Sequence, residues 1–530
     1  MITKLHRTLS AALLLLLFAA NLMANNIQLS NTKLTGQNTA DGYTLVQFDL
    51  AWENSWQTSS APNNWDAAWV FVKYRVGSGE WQQAWLNNGG HSPGTGTGAT
   101  IDAGLRMPGN AFDVNTNPAV GVFIYRSADG TGTFSITNAQ LRWNYGINGV
   151  AGNAEVEIKV FAIEMVYVPE GAFFVGSGAD PAETASFTQA NITSGATVPF
   201  QITSTPPTIQ GNNAGSSASN LGARGQMDLT GTNTALLAAG FPTGFAALYS
   251  MKYEISQQQY VDFLNTLTYT QQDIRIDGRP HEIAGTFTKN VFRHKIKIHT
   301  SGVASTTPAI YETEHPNVGC NFLSWMDGAA YSDWAGLRPM TELEFEKASR
   351  GTMAPVANEY AWGAATVANN AYTLNNIGQS NEGIANNYSN TAGNASYSTT
   401  DGSIDGPLRV GIFAGHVSNN GRISAGASYY GIMEMSGNVW ERVITVGNAT
   451  GRAFTGVHGD GALSANGYAT ETTWPGINSG EVTGATGSGL KGGSWYDHVP
   501  GMTVSNRYLA AYTTTPRLRL NGFRAVRDAP

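Results

Sequence analysis

From Tyr43 to Val160 apolar and polar side chains alternate in short runs. Val46, Phe48, Leu50 and Trp52 alternate with Gln47, Asp49 and Ala51, and Val70, Val72, Tyr74 and Val76 with Phe71, Lys73 and Arg75. Val156, Ile158 and Val160 alternate with Glu155, Glu157 and Lys159. A period of two, broken by Gly-, Asn- and Pro-rich turns, predicts half-buried antiparallel strands. Residues 25–161 therefore read as an all-β, sandwich-like module expected to fold on its own. The pattern changes at Glu164-Met-Val-Tyr-Val-Pro-Glu-Gly. Beyond it, Ser256 and Gln259 form a capping-box pair ahead of Tyr260, Phe263, Leu264 and Leu267, which recur at helical spacing. Ser324 with Asp327 opens a second helix, with Met326, Ala330 and Trp334 on one face. Thr341 with Glu344 opens a third, which ends near Gly351. Residues from about 355 to 425 are rich in Asn, Gly, Ser and Thr with scattered aromatics, and read as ordered loop. Few helices in a long Gly-rich unit predict an irregular α+β domain over 162–530.

Composition narrows the function classes. Charged residues are 13% of the 530, about half the usual ~25%, while 42% are hydrophobic and 62 are Gly. Such a chain is too apolar for disorder. A net charge of -8 without a basic run excludes electrostatic nucleic-acid binding. A single cysteine, Cys320, excludes intrachain disulfides, Cys-ligated zinc and iron–sulfur clusters. At the N-terminus, Lys4, His6 and Arg7 precede the apolar run Leu9–Met23, followed by Ala24 and polar Asn25. This is the pattern of a secretory signal over residues 1–24, too short to span a bilayer. No cysteine lies there for lipoprotein attachment, and no later stretch reaches spanning length. The expectation is an exported bacterial protein without a transmembrane segment: periplasmic, secreted or at the cell surface.

Eight segments carry a resemblance. Met165-Val-Tyr-Val-Pro-Glu-Gly, Tyr253-Glu-Ile-Ser, His315-Pro-Asn-Val and Ser324-Trp-Met-Asp-Gly-Ala-Ala-Tyr come first. Arg338-Pro-Met-Thr-Glu-Leu-Glu-Phe-Glu, Gly437-Asn-Val-Trp-Glu, Gly492-Gly-Ser-Trp and Gly522-Phe-Arg follow. Together and in this order they resemble the formylglycine-generating (sulfatase-modifying) enzyme family. The resemblance implies an irregular C-type-lectin-like fold over 162–530. It does not reach residues 26–160, and Gln272–Glu314 and parts of 180–240 read as insertions.

The family's enzymes oxidise a substrate cysteine with two copper-binding cysteines, because thiolate is the soft copper(I) ligand. Those positions fall at about Thr503 and Tyr508, and Cys320 lies in another motif, so neither oxidase activity nor copper is expected. The resemblance also implies structural calcium, a hard ion held by oxygens. One site carries over to Glu434, Gly437, Val439 and Glu441, two by side chain and two by backbone carbonyl, with Glu434 where the family usually has asparagine. The other maps onto Asn386, Asn387, Asp405 and Pro407. Other enzyme signals fail on context. Gly90-His-Ser-Pro-Gly94 matches G-x-S-x-G, but Pro93 and the glycines after it cannot open the helix that a nucleophile elbow needs. His281-Glu-Ile-Ala-Gly lacks the second histidine of a zinc-protease helix.

In the C-terminal segment 492–527, family-like positions (Gly492, Gly493, Trp495, Arg507, Gly522, Phe523, Arg524) frame residues of unrelated chemistry. The segment resembles the variable region of proteins diversified by retroelements, where template adenines are mutated during reverse transcription. Mutating the adenines of an AAC codon can give Tyr, Asp, His, Leu, Thr, Pro or Arg among a larger set, but not Lys, Glu, Gln, Met or Trp. Tyr496, Asp497, His498, Tyr508, Leu509, Tyr512, Thr514, Pro516, Leu518, Arg519 and Leu520 all belong to that set. The competing reading is a fixed, family-like C-terminus. The resemblance implies an exported, non-enzymatic receptor or adhesin that displays these eleven side chains to a protein or glycan on a cell or phage surface. Two alternatives stand beside it. One is an enzyme of the same fold with different chemistry, such as a mononuclear-iron oxygenase needing two histidines and a carboxylate. The other is a structural part of a surface or secretion machine.

Overall fold

A computed structural model describes residues 26–178, 185–190, 197–211 and 217–530; the expected signal segment 1–24 lies outside them. The chain begins with β1 (Gln28–Asn38), β2 (Tyr43–Gln57), β3 (Asp66–Val76), β4 (Ala99–Leu105), β5 (Ala119–Arg126), β6 (Gly130–Trp143) and β7 (Val156–Val168). Strands β1, β2 and β6 form one antiparallel sheet, and β4, β5, β3 and β7 lie in order in a second. Val46, Phe48, Leu50 and Trp52 of β2 face Val70, Val72 and Tyr74 of β3 in one core, as the alternation predicts.

The other face of the second sheet departs from expectation. Phe71 and Lys73, the interleaved positions of β3, are also buried. The cause is that β7 does not end the module. On one edge it pairs with β3 from Val156 to Val166, and on the other Met165–Val168 pair with β8 (Leu248–Met251). The sheet then continues to the last strand of the chain, Ala525–Asp528, and to Arg338–Pro339. The boundary expected after Phe161 thus falls inside a strand of one continuous sheet.

Aromatic rings and buried polar groups close this junction. The Trp69 indole lies against Gly104 and Gly121, where an added Cβ would come within 2.4 and 2.5 Å of the ring. Its Nε1 donates to the Ala335 carbonyl at 2.8 Å. Phe71 meets Trp334 edge-on at 5.0 Å, and Phe123 stacks on Tyr249 at 3.8 Å. The buried Lys73 ammonium donates to the carbonyls of Trp334 and Gly461, both at 2.7 Å, and burial pulls its pKa down to about 7. Lys252 pairs across the junction with Glu164 at 3.0 Å and Asp66 at 3.3 Å.

Four main helices follow: α1 (Gln257–Leu264), α2 (Tyr269–Arg275), α3 (Trp325–Trp334) and α4 (Glu342–Arg350). Capping boxes open α1, α3 and α4 at Ser256, Ser324 and Thr341, as the spacing predicts. Helix α2 has the same signal, Thr268 with Gln271, just before the segment read as an insertion, and runs into it. Among the described residues no helix is long and apolar enough to cross a membrane.

Candidate functional site

The C-terminal segment is strung between two strands of a small sheet. Trp440–Ile444 is its centre, antiparallel to Ser488–Lys491 and parallel to Asn521–Gly522. The chain leaves the sheet at Lys491 through Gly492 and Gly493, whose φ values of 93° and 77° favour glycine. At Gly493 a Cβ would come within 2.8 Å of Met502. Trp495 is 1% exposed and Phe523 0%, so the segment is anchored by a buried ring at each end.

Between the anchors, buried groups hold the backbone. The Lys491 ammonium donates to the carbonyls of Val504 at 2.8 Å and Asn506 at 2.7 Å. The buried Arg507 donates to Glu342 at 2.7 and 3.0 Å while lying over the Phe187 ring. Arg442 donates to the carbonyls of Tyr512 and Thr514, and Trp440 N–H to that of Leu520. Met502, Thr503, Val504, Ser505, Arg507 and Ala510 are buried. By contrast, none of the eleven positions singled out in the sequence is buried. Tyr508 is 70% exposed, Tyr496 54% and Tyr512 37%; His498 and Pro516 are exposed too, and the other six are half-buried. His498 contacts the Ser398 hydroxyl at 3.1 Å. The Asp497 carboxyl takes the Ser494 hydroxyl, and partial burial raises its pKa. Arg519 stacks on Tyr496 and on Phe292, each 4.7 Å from the guanidinium carbon. Phe292 comes from the insertion and was not anticipated; no periodicity or motif marks it.

Beside this face three carboxylates are buried. Glu434 Oε1 accepts from Gly411 N–H at 2.8 Å, and Glu441 Oε1 accepts from Arg524 at 2.7 Å. Among the described residues Glu434 Oε2 and Glu441 Oε2 meet no hydrogen-bond donor. Burial raises Glu434 to about 7 and also raises Glu441. Glu254 is raised by burial and then by repulsion from Glu434. The Asn386, Asn387, Asp405 and Pro407 loop is arranged differently. Asn386 Oδ1 accepts from Thr373 N–H at 2.7 Å, the Asn387 amide donates to Ala371, and the Pro407 carbonyl already faces the Arg293 guanidinium at 2.6 Å.

The family description "Sulfatase-modifying factor enzyme 1-like domain" matches residues 222–529. The chain belongs to that family. Two relatives are formylglycine-generating enzymes. The one from Thermomonospora curvata is 28% identical over 220 residues, 41% of this chain and 57% of that protein. The one from Streptomyces coelicolor is 47% identical over 51 residues, 10% of this chain and 16% of that protein. The chain thus spans little more than half the length of one of these relatives and a sixth of the other. Among solved structures it is similar to Treponema denticola variable protein 1, with 12% identity and a TM-score of 0.29 over 70% of this chain and 96% of that one.

As a sulfatase-modifying-factor-like chain it holds one cysteine, so no pair of thiolates can form. Thr503 sits buried with its hydroxyl on the Pro500 carbonyl at 3.1 Å, while Tyr508 points a phenol at solvent. Cys320 is fully buried, and desolvation pushes its thiol well up, away from nucleophile or metal-ligand character.

Proposed function

We propose that this member of the family is a non-enzymatic binding protein whose ligand surface is the segment 496–520. The observation that carries the reading is the division of burial within one segment. Buried residues at 502–505, 507 and 510 fix the backbone, while the eleven positions of unrelated chemistry all keep solvent contact. Side chains of that kind can be exchanged without disturbing a core, which is what a diversified surface requires. Exposed tyrosines suit it, since each offers a large amphipathic area at small entropic cost. The ligand is a protein or glycan at a cell or phage surface, met after export directed by residues 1–24. The deciding measurement is binding to whole cells, phage particles and immobilised glycans by the intact chain and by a Tyr508→Ala/Tyr512→Ala variant. Loss of binding with an unchanged melting curve supports the surface. Binding that survives both substitutions places the ligand elsewhere.

The same reading includes one structural calcium ion at Glu434, Gly437, Val439 and Glu441. Among the described residues two carboxylate oxygens of this cluster meet no donor, and burial disfavours the ionised form of all three glutamates, which a hard divalent cation would restore by supplying the opposite charge. Bound there, calcium would tie the loop before Trp440–Ile444 to the strand itself. Calcium should raise the melting temperature of chelator-treated protein, and Glu434→Gln should remove most of that rise. An identical melting curve with and without calcium removes the ion from the proposal. The Asn386, Asn387, Asp405 and Pro407 set is a second candidate site, in which the Pro407 carbonyl also accepts from Arg293 and keeps a lone pair for a cation.

A further inference from the structure

We infer that Arg519 is the anion-reading centre of this face and takes a carboxylate of the ligand; this rests on the reading of 496–520 as the ligand surface. The guanidinium carbon lies 4.7 Å from the centroids of both Phe292 and Tyr496, and 5.9 Å from that of Trp495. Among the described residues its N–H groups meet no acceptor and no carboxylate. Arg517, two residues earlier, is satisfied instead: Asp327 accepts from it twice at 2.8 Å, Asp277 at 3.2 Å and the Ile276 carbonyl at 3.1 Å. The two rings hold the guanidinium at cation–π distance without accepting from its N–H groups, so its edge, where those groups lie, is left to a partner. That edge is a planar row of donors matched to the two oxygens of a carboxylate. The rings around it give the carbons next to that carboxylate an apolar wall. A neutral ligand would leave the half-buried cation unpaired, and a cationic one would be repelled.

The frame of this stack is held in unusual backbone conformations. Phe292, Arg293 and Phe322 have φ of 51°, 60° and 58°, a region bulky side chains avoid. Such geometry persists where surroundings over-determine it. Asn321 Nδ2 donates to the Phe292 carbonyl at 2.9 Å, and Arg293 is engaged by Glu382 and the Pro407 carbonyl. Phe322 N–H donates to the Leu518 carbonyl at 3.2 Å, one residue before Arg519. The insertion that carries Phe292 therefore supplies a rigid wall to the C-terminal face.

The test uses three small probes on the full mature chain at matched ionic strength: glutarate, glucuronate and glucose, followed by saturation-transfer NMR and calorimetry. Glutarate or glucuronate should bind while glucose does not, and Arg519→Gln should weaken binding at least about tenfold with the melting curve unchanged. Arg519→Lys should also weaken it, because an ammonium lacks the planar fork. Phe292→Leu should weaken it less. Stronger binding of glucuronate points to a sugar acid, and equal binding to a carboxylate from any source. Glucose binding as well as glucuronate, no binding of either acid, or titrations indifferent to Arg519→Gln would each overturn the inference. Failure of the whole surface shows separately, as cell, phage or glycan binding that survives Tyr508→Ala/Tyr512→Ala. Neither tyrosine belongs to the Arg519 stack.

Discussion

Two regions of this molecule present aromatic rings in opposite ways. At the junction, Trp69, Phe71 and Phe123 leave the N-terminal sheet and are buried against Trp334, Ala335 and Tyr249 of the family domain. At the C-terminal face, Tyr496, Tyr508 and Tyr512 stand on a held backbone with 54%, 70% and 37% of their surface free. Both sets hang on regular or tightly fixed chain, so flexibility does not separate them. The difference is which side of the backbone meets another layer. A ring facing a layer contributes to folding, while a ring facing water contributes contact area to something else. Burial, not residue type, divides scaffold from surface here.

The largest expected effect comes from breaking the first region. Trp69→Ala removes a fully buried indole, its hydrogen bond to Ala335 and the filling of the slot over Gly104 and Gly121. A loss of about 3–5 kcal/mol in urea unfolding is expected. Residues 26–162 expressed alone retain the core between the two sheets but expose Trp69, Phe71 and Phe123. That fragment should bind a hydrophobic dye and associate, and a monodisperse, cooperatively melting fragment would show that the shared face is dispensable.

How much of this was legible in the sequence follows from the range of the interactions. Capping boxes at Ser256, Ser324 and Thr341 are local, so three residues suffice to show them. The core between β2 and β3 follows from alternation alone. The continuous sheet was hidden because alternation assigns Phe71 and Lys73 to a solvent face. Only the phenyl ring at position 71 hinted otherwise. Lys73 is buried because two carbonyls from distant loops, Trp334 and Gly461, accept its protons, and no sequence window spans that distance. At the face, the frame glycines and Trp495 were readable through the family resemblance, whereas the solvent contact of the eleven positions comes from the fold, since their codon chemistry says nothing about burial. Phe292 was not readable, since its position depends on a left-handed turn fixed by Asn321 and Arg293.

An intermediate effect should appear on acidification. His458 and His294 are buried and neutral, with pKa values pulled from 6.5 to about 4 by desolvation. The unfolded chain binds these protons first, so stability is complete above pH 6.5 and falls as pH drops toward 4. Each group contributes roughly 3 kcal/mol at most across that window. His458 accepts the Asp528 N–H at the junction, and His294 contacts Asn321 beside the face. His458→Gln and His294→Gln should each flatten the decline in melting temperature between pH 6.5 and 4.5. A variant whose profile parallels that of the unaltered chain would mean its histidine is already protonated in the fold.

The smallest effect on stability should come from the second region, and its smallness is the point. Tyr508 is 70% exposed, and its backbone N–H is already satisfied by the Asn506 side chain at 3.0 Å. Tyr512 is 37% exposed, and it is its carbonyl, not its ring, that Arg442 holds. Replacing both side chains by alanine leaves those backbone bonds in place and opens no cavity. The change in unfolding free energy should stay within about 0.5 kcal/mol, against several for Trp69→Ala. Differential scanning calorimetry of the two variants side by side reads the contrast directly. A double-tyrosine variant that melts as early as Trp69→Ala would mean that these rings brace the fold and that the two regions do the same work. An unchanged melting curve would leave the rings without a folding role and put their purpose at the surface.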